Sequence, residues 1–204
     1  MSEYNNINIY FLGDHSVGKS SIILEYLVKS HLNVEPTKSM DKYKKEIEKK
    51  INDSKIKIVL NIWDIRGDLN YADSIKFLKN KNNIFILVYD VTNKDSFTNL
   101  NKWEELIPDF EENTIIAIIG NKNDLKEKRV VLGEEGIKYA EAINALFFLI
   151  SVNDKERINE VFSIIIDKFY QEFPEHIIDS EEKYEIHSPI ILQPKKETKK
   201  KSIV

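Results

Sequence analysis

Gly13-Asp14-His15-Ser16-Val17-Gly18-Lys19-Ser20 constrains this chain more than any other stretch, because it fits the pattern Gly-x4-Gly-Lys-Ser between an apolar run and a helical pattern. The run Ile7-Asn8-Ile9-Tyr10-Phe11-Leu12 reads as a strand, and Ile22, Ile23, Leu27 and Val28 mark one apolar face of a helix reaching to about Ser30. In that strand-loop-helix setting the glycines let backbone N–H groups curl around a polyphosphate, with the positive end of the helix dipole behind them. Lys19 is then expected to reach the terminal phosphates, and Ser20 to hold a magnesium ion.

The remainder alternates strands with helices. Tyr43, Ile47 and Ile51 among charges read as a solvent-facing strand, Asn52-Asp53-Ser54 as a hairpin turn, and Ile56 through Trp63 as a stronger strand. Asp64-Ile65-Arg66-Gly67 comes directly off that strand, and a polar, helix-capable segment follows to about Lys81. Ile84 through Tyr89 is continuously apolar, which predicts a strand covered on both faces. Ser96 is expected to cap a helix through about Phe110 that carries Phe97, Leu100, Trp103, Leu106 and Ile107. Ile115–Ile119 is another buried strand ending at Gly120-Asn121-Lys122-Asn123-Asp124. A helix from about Gly133 to Ile143, a strand Leu146–Ile150 stopping at Ser151, and a helix from about Arg157 to Phe173 complete the series.

This order predicts an α/β fold around a mainly parallel six-stranded sheet with one antiparallel edge strand and helices on both faces. Ligands of such sheets bind beyond the carboxyl ends of the strands, where the polar motifs above all fall or, like Thr37, lie in an adjoining loop. Four of the six glycines, Gly13, Gly18, Gly67 and Gly120, stand at these ends, whereas Gly133 and Gly136 read as turn formers.

Composition sets the outer bounds. The 204 residues are expected to form one domain over 1–173 and a flexible tail over 174–204, which holds Pro174, Pro189, Pro194 and the run Lys195-Lys196-Glu197-Thr198-Lys199-Lys200-Lys201. A formal net charge of -4 argues against nucleic acid as a partner. With no cysteine, the expectation is no disulfide, no thiolate metal site and no prenyl anchor, and from Met-Ser-Glu-Tyr neither a signal peptide nor a myristoyl group is expected. No apolar run suffices to cross a bilayer, so the expectation is a cytoplasmic monomer with weak, salt-sensitive contact to endomembranes through the lysine cluster.

Asp64-x-x-Gly67 supplies a carboxylate for magnesium and an N–H to sense a γ-phosphate. Asn121-Lys122-x-Asp124 supplies an acceptor for guanine N1–H and N2–H, a donor pair that adenine lacks, while Asn121 braces the loop. With these motifs in place, residues 5 to 173 resemble the small Ras-superfamily GTPases of the P-loop NTPase fold. The resemblance is to the Rab branch in particular, through Leu12-Gly13-Asp14 to Ser21, Trp63-Asp64, Tyr89-Asp90-Val91-Thr92, Ser96-Phe97 with Trp103, and the spacing to Ser151. It implies that GTP or GDP is held by Gly13, His15, Ser16, Val17, Gly18, Lys19, Ser20, Ser21, Thr37, Gly67, Asn121, Lys122, Asp124 and the Ser151-Val152-Asn153 loop. It implies Mg²⁺ on Ser20, Thr37 and Asp64, with effector and exchange-factor proteins reading residues 31–43 and 64–78 as switches.

The chain departs from that family where hydrolysis is concerned. Asp68 stands where glutamine usually orients the attacking water, and Arg66 where alanine is expected. His15 replaces a small residue and can obstruct an arginine finger. The first switch is one residue short, and His31 or Leu32 stands where an aromatic usually covers the base. Lys19, Asp68 and Arg66 are therefore the residues on which catalysis turns, and slow turnover is the expectation. The rivals are a module that binds GTP or GDP without cycling by its own hydrolysis, and a phosphate-loop kinase. The kinase suits the chain poorly, since Arg66, Arg129 and Arg157 are its only arginines.

Overall fold

A computed structural model of the chain describes residues 6–27, 40–51, 54–69, 81–108 and 113–176. Its six strands are β1 (Asn6–Leu12), β2 (Met40–Ile51), β3 (Ser54–Ile65), β4 (Asn83–Asp90), β5 (Thr114–Asn121) and β6 (Leu146–Leu149). They form one sheet in the order β2-β3-β1-β4-β5-β6. β2 pairs antiparallel with β3 and every other pairing is parallel, which matches the fold class expected from the sequence.

The helices are α1 (Lys19–Tyr26), α2 (Lys94–Thr98), α3 (Leu100–Glu104), α4 (Gly133–Ala142) and α5 (Lys155–Glu172). The unbroken apolar sequence of β4 follows from their placement. Ile84, Ile86 and Val88 enter the core containing Ile22 and Ile23 of α1 and Ile158, Phe162 and Phe169 of α5. Phe85, Leu87 and Tyr89 alternate into the opposite core, with Leu100 and Trp103 of α3 and Ala140 of α4. Burial on both faces is why the six residues between the polar ends Asn83 and Asp90, Ile84 through Tyr89, form an unbroken apolar run.

β2 solves a different problem, since it is one of the two edge strands and among the described residues nothing pairs with its outer side. Tyr43, Ile47 and Ile51 pack toward the core while Asp41, Lys42, Lys44, Glu46, Glu48 and Lys50 are exposed. Two inward lysines fasten it to the helices. Lys45 Nζ donates to the Tyr26 carbonyl at 2.6 Å and lies 3.6 Å over that ring, and Lys49 Nζ is 2.9 Å from Asp167 of α5.

Three expectations need correction. The predicted helix from Ser96 is two short helices, and its cap is Asn93, whose side chain accepts from the Asp95 and Ser96 N–H groups at 3.0 and 3.3 Å. Ser96 lies inside α2, where its hydroxyl accepts the Asp90 N–H at 3.0 Å and donates to the Asn93 carbonyl at 2.8 Å, so it secures the end of β4 instead. Neither Gly133 nor Gly136 is a turn former, for Gly133 opens α4 and Gly136 lies within it, where a Cβ would meet the Phe147 ring at 2.3 Å. The close packing of α4 on β6 requires the missing side chain. The hairpin turn at Asn52-Asp53 and the segment from 70 to 80 lie outside the described residues, as does the tail beyond His176. Pro174–His176 form a short 3₁₀ turn in which His176 is buried beside Phe169 and bonded to Asn113 at 2.6 Å.

β1 hands the chain to the loop at Gly13, whose φ of 136° and close approach to β4 leave no room for a side chain: a Cβ would sit 2.2 Å from the Val88 carbonyl oxygen. The obstacle is a strand backbone, which cannot swing aside. Gly13→Ala is expected to cost about 3 kcal/mol from combined strain and overpacking, lowering the thermal midpoint by roughly 6–12 °C in differential scanning calorimetry. A shift under ~2 °C would contradict this geometry.

Candidate functional site

The carboxyl ends of β1, β3, β4 and β5 meet on one rim of the sheet, and the parallel register brings their loops together. The first loop turns from Gly13 into α1 through Ser16 at φ 63° and Gly18 at φ 100°. His15 and Ser16 are exposed, bonded to each other through Nδ1 and Oγ at 2.5 Å, while Val17 is buried below them. Gly18 is the left-handed cap of α1, so the first turn of that helix, with Lys19, Ser20 and Ser21, faces the loop it leaves.

Lys19 is only 6% exposed, and its ammonium donates to the Gly13 and Asp14 carbonyls at 2.7 and 2.8 Å. Burial pushes its pKa down to about 8, while the carboxylates of Asp64 and Asp14 hold it up. An ammonium has three donors, so one is left for an anionic ligand at the loop. Ser20 Oγ donates to Asp64 Oδ2 at 2.5 Å, joining the start of α1 to the end of β3. A hydroxyl and a carboxylate are hard oxygen donors of the type magnesium prefers. Thr37, expected as the third, lies outside the described residues, with most of the first expected switch and His31 and Leu32.

Two residues past the end of β3, Gly67 lies directly against the loop, for a Cβ there would come within 2.4 Å of His15 N and 2.5 Å of the Asp14 carbonyl carbon. Its neighbours are thereby carried to the same place. Arg66 Nη2 is 4.0 Å from Asp68 Oδ2, and the Asp68 N–H donates to the Arg66 carbonyl at 2.8 Å.

At the end of β5, Asn121 is buried and its Nδ2 donates to the Val17 carbonyl at 2.8 Å, bracing the loop as expected. Its Oδ1 is buried with no partner among the described residues, an acceptor that a bound base can satisfy. Lys122, at φ 62°, sends its ammonium to Asp90 at 2.6 Å. The Asp90 carboxyl also accepts the Thr92 N–H and hydroxyl at 2.8 and 2.7 Å. Desolvation works to raise the Asp90 pKa, but the Lys122 and Thr92 donors outweigh it and hold the carboxyl below the usual carboxylate range. Asp124 is exposed, with Asn153 Nδ2 3.4 Å away, and the Asn153 N–H donates to Ser151 Oγ at 3.2 Å. A cavity of about 360 Å³ opens between these loops, lined by Asn123, Asp124, Lys126, Ser151, Asn153 and Arg157.

The rim therefore brings together the phosphate loop, Asp64, Gly67 with its neighbours Arg66 and Asp68, and the loops at Asn121–Asp124 and Ser151–Asn153, while the Val152 side chain packs on the core. Sequence reasoning missed the roles of Asp90 and Thr92 in holding Lys122, and the side-chain contacts of Asp14. Their partners are fixed by the packing of distant elements, for which no local pattern exists.

A mainly parallel sheet with this glycine-and-lysine loop between its first strand and first helix defines a P-loop nucleotide-binding protein. The model of the Ras family matches residues 8–171, and the chain belongs to that family. It is similar to Ras-related protein Rab-17 of Mus musculus, 33% identical over 165 residues, covering 80% of this chain and 75% of that protein. It is likewise similar to Ras-related protein RabQ of Dictyostelium discoideum, 34% identical over 170 residues, with 82% and 81% covered. Ras-related protein Rab5A of Oryza sativa is 33% identical over 173 residues, with 83% of each chain covered. The chain is a Rab-like small GTPase, and binding of GTP and GDP with Mg²⁺ is a general property of its family.

Proposed function

We propose that this chain is a switch of membrane traffic that exchanges guanine nucleotides normally but hydrolyses GTP slowly. The contact of Gly67 with the backbone of Asp14 and His15 carries the reading, because it holds Asp68 and Arg66 beside the terminal-phosphate end of the loop. A carboxylate there cannot offer an attacking water the paired donor and acceptor of an amide, and it repels the γ-phosphate. Arg66 has Asp68 as a counter-charge, which favours a guanidinium held in place over one free to act as a finger in cis.

In this reading Lys19 and the loop N–H groups, including those of Ser16, Val17 and Gly18, carry the phosphate charge. Ser20 and Thr37 would hold the magnesium directly and Asp64 through water, the Ser20 hydroxyl and the Asp64 carboxylate being already side by side. When bound, Mg²⁺ would supply positive charge opposite the terminal phosphates. Asp124 accepts from the guanine edge, Asn121 and Lys122 shape the wall of the base site, and Ser151, Val152 and Asn153 close it. Residues 31–43 and 64–78 are the surfaces for effectors and exchange factors. The folded domain is monomeric, and the lysine cluster at 195–201 gives it weak attraction to anionic membrane surfaces.

The test is single-turnover hydrolysis by protein loaded with GTP and Mg²⁺. The expected rate lies below about 10⁻⁴ s⁻¹, Asp68→Gln is expected to raise it roughly tenfold or more, and Arg66→Ala to leave it unchanged. Hydrolysis by the unaltered chain at the ordinary intrinsic rate of ~3 × 10⁻⁴ s⁻¹ or faster would refute slow turnover. Bound GTP that persists for hours even in Asp68→Gln would instead favour a binding module that never times itself.

A further inference from the structure

Trp103 is fully buried, and a buried indole N–H requires an acceptor. Its Nε1 donates to Asp14 Oδ1 at 2.7 Å, and Asn99 Nδ2 donates to Asp14 Oδ2 at 2.8 Å. Both carboxylate oxygens of a phosphate-loop residue are thus held by α3 and by Asn99, the junction between α2 and α3. Asn99 is braced in turn by Lys102, whose ammonium donates to Asn99 Oδ1 at 2.9 Å. The same Asp14 presents its backbone carbonyl to the Lys19 ammonium at 2.8 Å and lies against Gly67. Asp14 therefore joins three things: the helix pair through its side chain, the phosphate-binding cation through its carbonyl, and the glycine after β3 through its backbone.

From this junction we propose that Asp14 is a positioning residue for the nucleotide, clamped by Trp103 and Asn99, and that α2–α3 thereby sets how long nucleotide is retained. The inference rests on the reading that the chain holds a guanine nucleotide on this loop. Two charge-assisted hydrogen bonds at one carboxylate fix the side chain, and with it the direction of the carbonyl that orients Lys19. Without the clamp the carbonyl is free to turn and Lys19 loses one of its two anchors. The contact also runs the other way, because a change in the loop on nucleotide release alters the acceptor of the Trp103 indole. Trp103 is then an internal reporter of occupancy.

The experiment measures dissociation of a fluorescent GDP analogue from the full chain, with magnesium and with EDTA. Asp14→Asn keeps the size but removes the charge and one acceptor, and Trp103→Phe removes the N–H while keeping an aromatic ring. Each is expected to speed release about tenfold, and the double variant no more than the stronger single, since both cut one link. Tyr139→Phe removes the Tyr139 bond to Glu104 of α3, at 2.8 Å, without touching the loop, and is expected to leave release unchanged. In a Trp63→Phe background, where Trp103 is the one remaining tryptophan, indole fluorescence is expected to change on nucleotide release, and this change should vanish with Asp14→Ala. If Asp14→Asn does not fold, Asn99→Ala removes the second arm in its place. Release unaltered in these variants, additive effects in the double variant, or a silent Trp103 would each overturn the clamp. An unaltered chain that retains no guanine nucleotide would overturn the nucleotide reading and the clamp with it, which separates that failure from retention with unaltered release.

Discussion

Lys19→Ala is expected to weaken guanine-nucleotide binding about a hundredfold or more while the domain stays folded. The ammonium is buried between the carbonyls of Gly13 and Asp14, so its removal leaves two partial negative charges facing the phosphates with nothing between. Truncating one partner of a desolvated charge pair costs about 2–5 kcal/mol, roughly 30- to 4000-fold in affinity. Folding should suffer far less. Burial already pushes the ammonium down to about 8, a sign that the protein holds this charge against its own desolvation preference. Isothermal titration with GDP and circular dichroism of the same sample separate the two effects. A dissociation constant within tenfold of the parent's would show that Lys19 does not carry phosphate charge.

The second large effect is a change of base. Asp124→Asn is expected to lower affinity for GTP about a hundredfold and to raise affinity for xanthosine triphosphate. Aspartate can only accept, which suits the N1–H and N2–H donors of guanine; an asparagine offers an N–H where xanthine carries a carbonyl oxygen. A polar site whose partner is mismatched loses far more than an apolar one, because both groups stay desolvated and unpaired. Asn153 Nδ2, 3.4 Å from Asp124 in the free site, can keep an oxygen of the new amide as its acceptor, so the loop itself should stay in place. Competition between fluorescent GDP and the two triphosphates measures the switch. Unchanged preference for guanine would remove Asp124 from the base site.

What the sequence made legible divides along a physical line. The phosphate loop, Asp64, Gly67 and the Asn121–Asp124 segment could be read because each is a short run whose chemistry depends on residues a few positions apart. The strands could be read where burial on both faces leaves an unbroken apolar run, as in β4. Ser96 was misread because Asn93, Asp95 and Ser96 are all competent helix starters, and the one at the right backbone position, Asn93, won. The Gly136 error was tertiary: nothing local says that Phe147 will press on α4. Asp14 shows the limit most sharply, since its two side-chain partners lie 85 and 89 residues away and are brought to it by the crossover after β4.

The outer edge of β2 has a consequence for the protein in crowded solution. A 12-residue strand whose outer side has no partner among the described residues is a template on which another chain could order into cross-β structure. Here the exposed positions carry Asp41, Lys42, Lys44, Glu46, Glu48 and Lys50, so a greasy, uncharged segment sliding along that edge meets charge at almost every second step. Only a segment bearing acids and bases in the complementary order could zip onto it. The edge thus works as a filter on self-assembly, and neutralising those six charges together is expected to promote fibril formation.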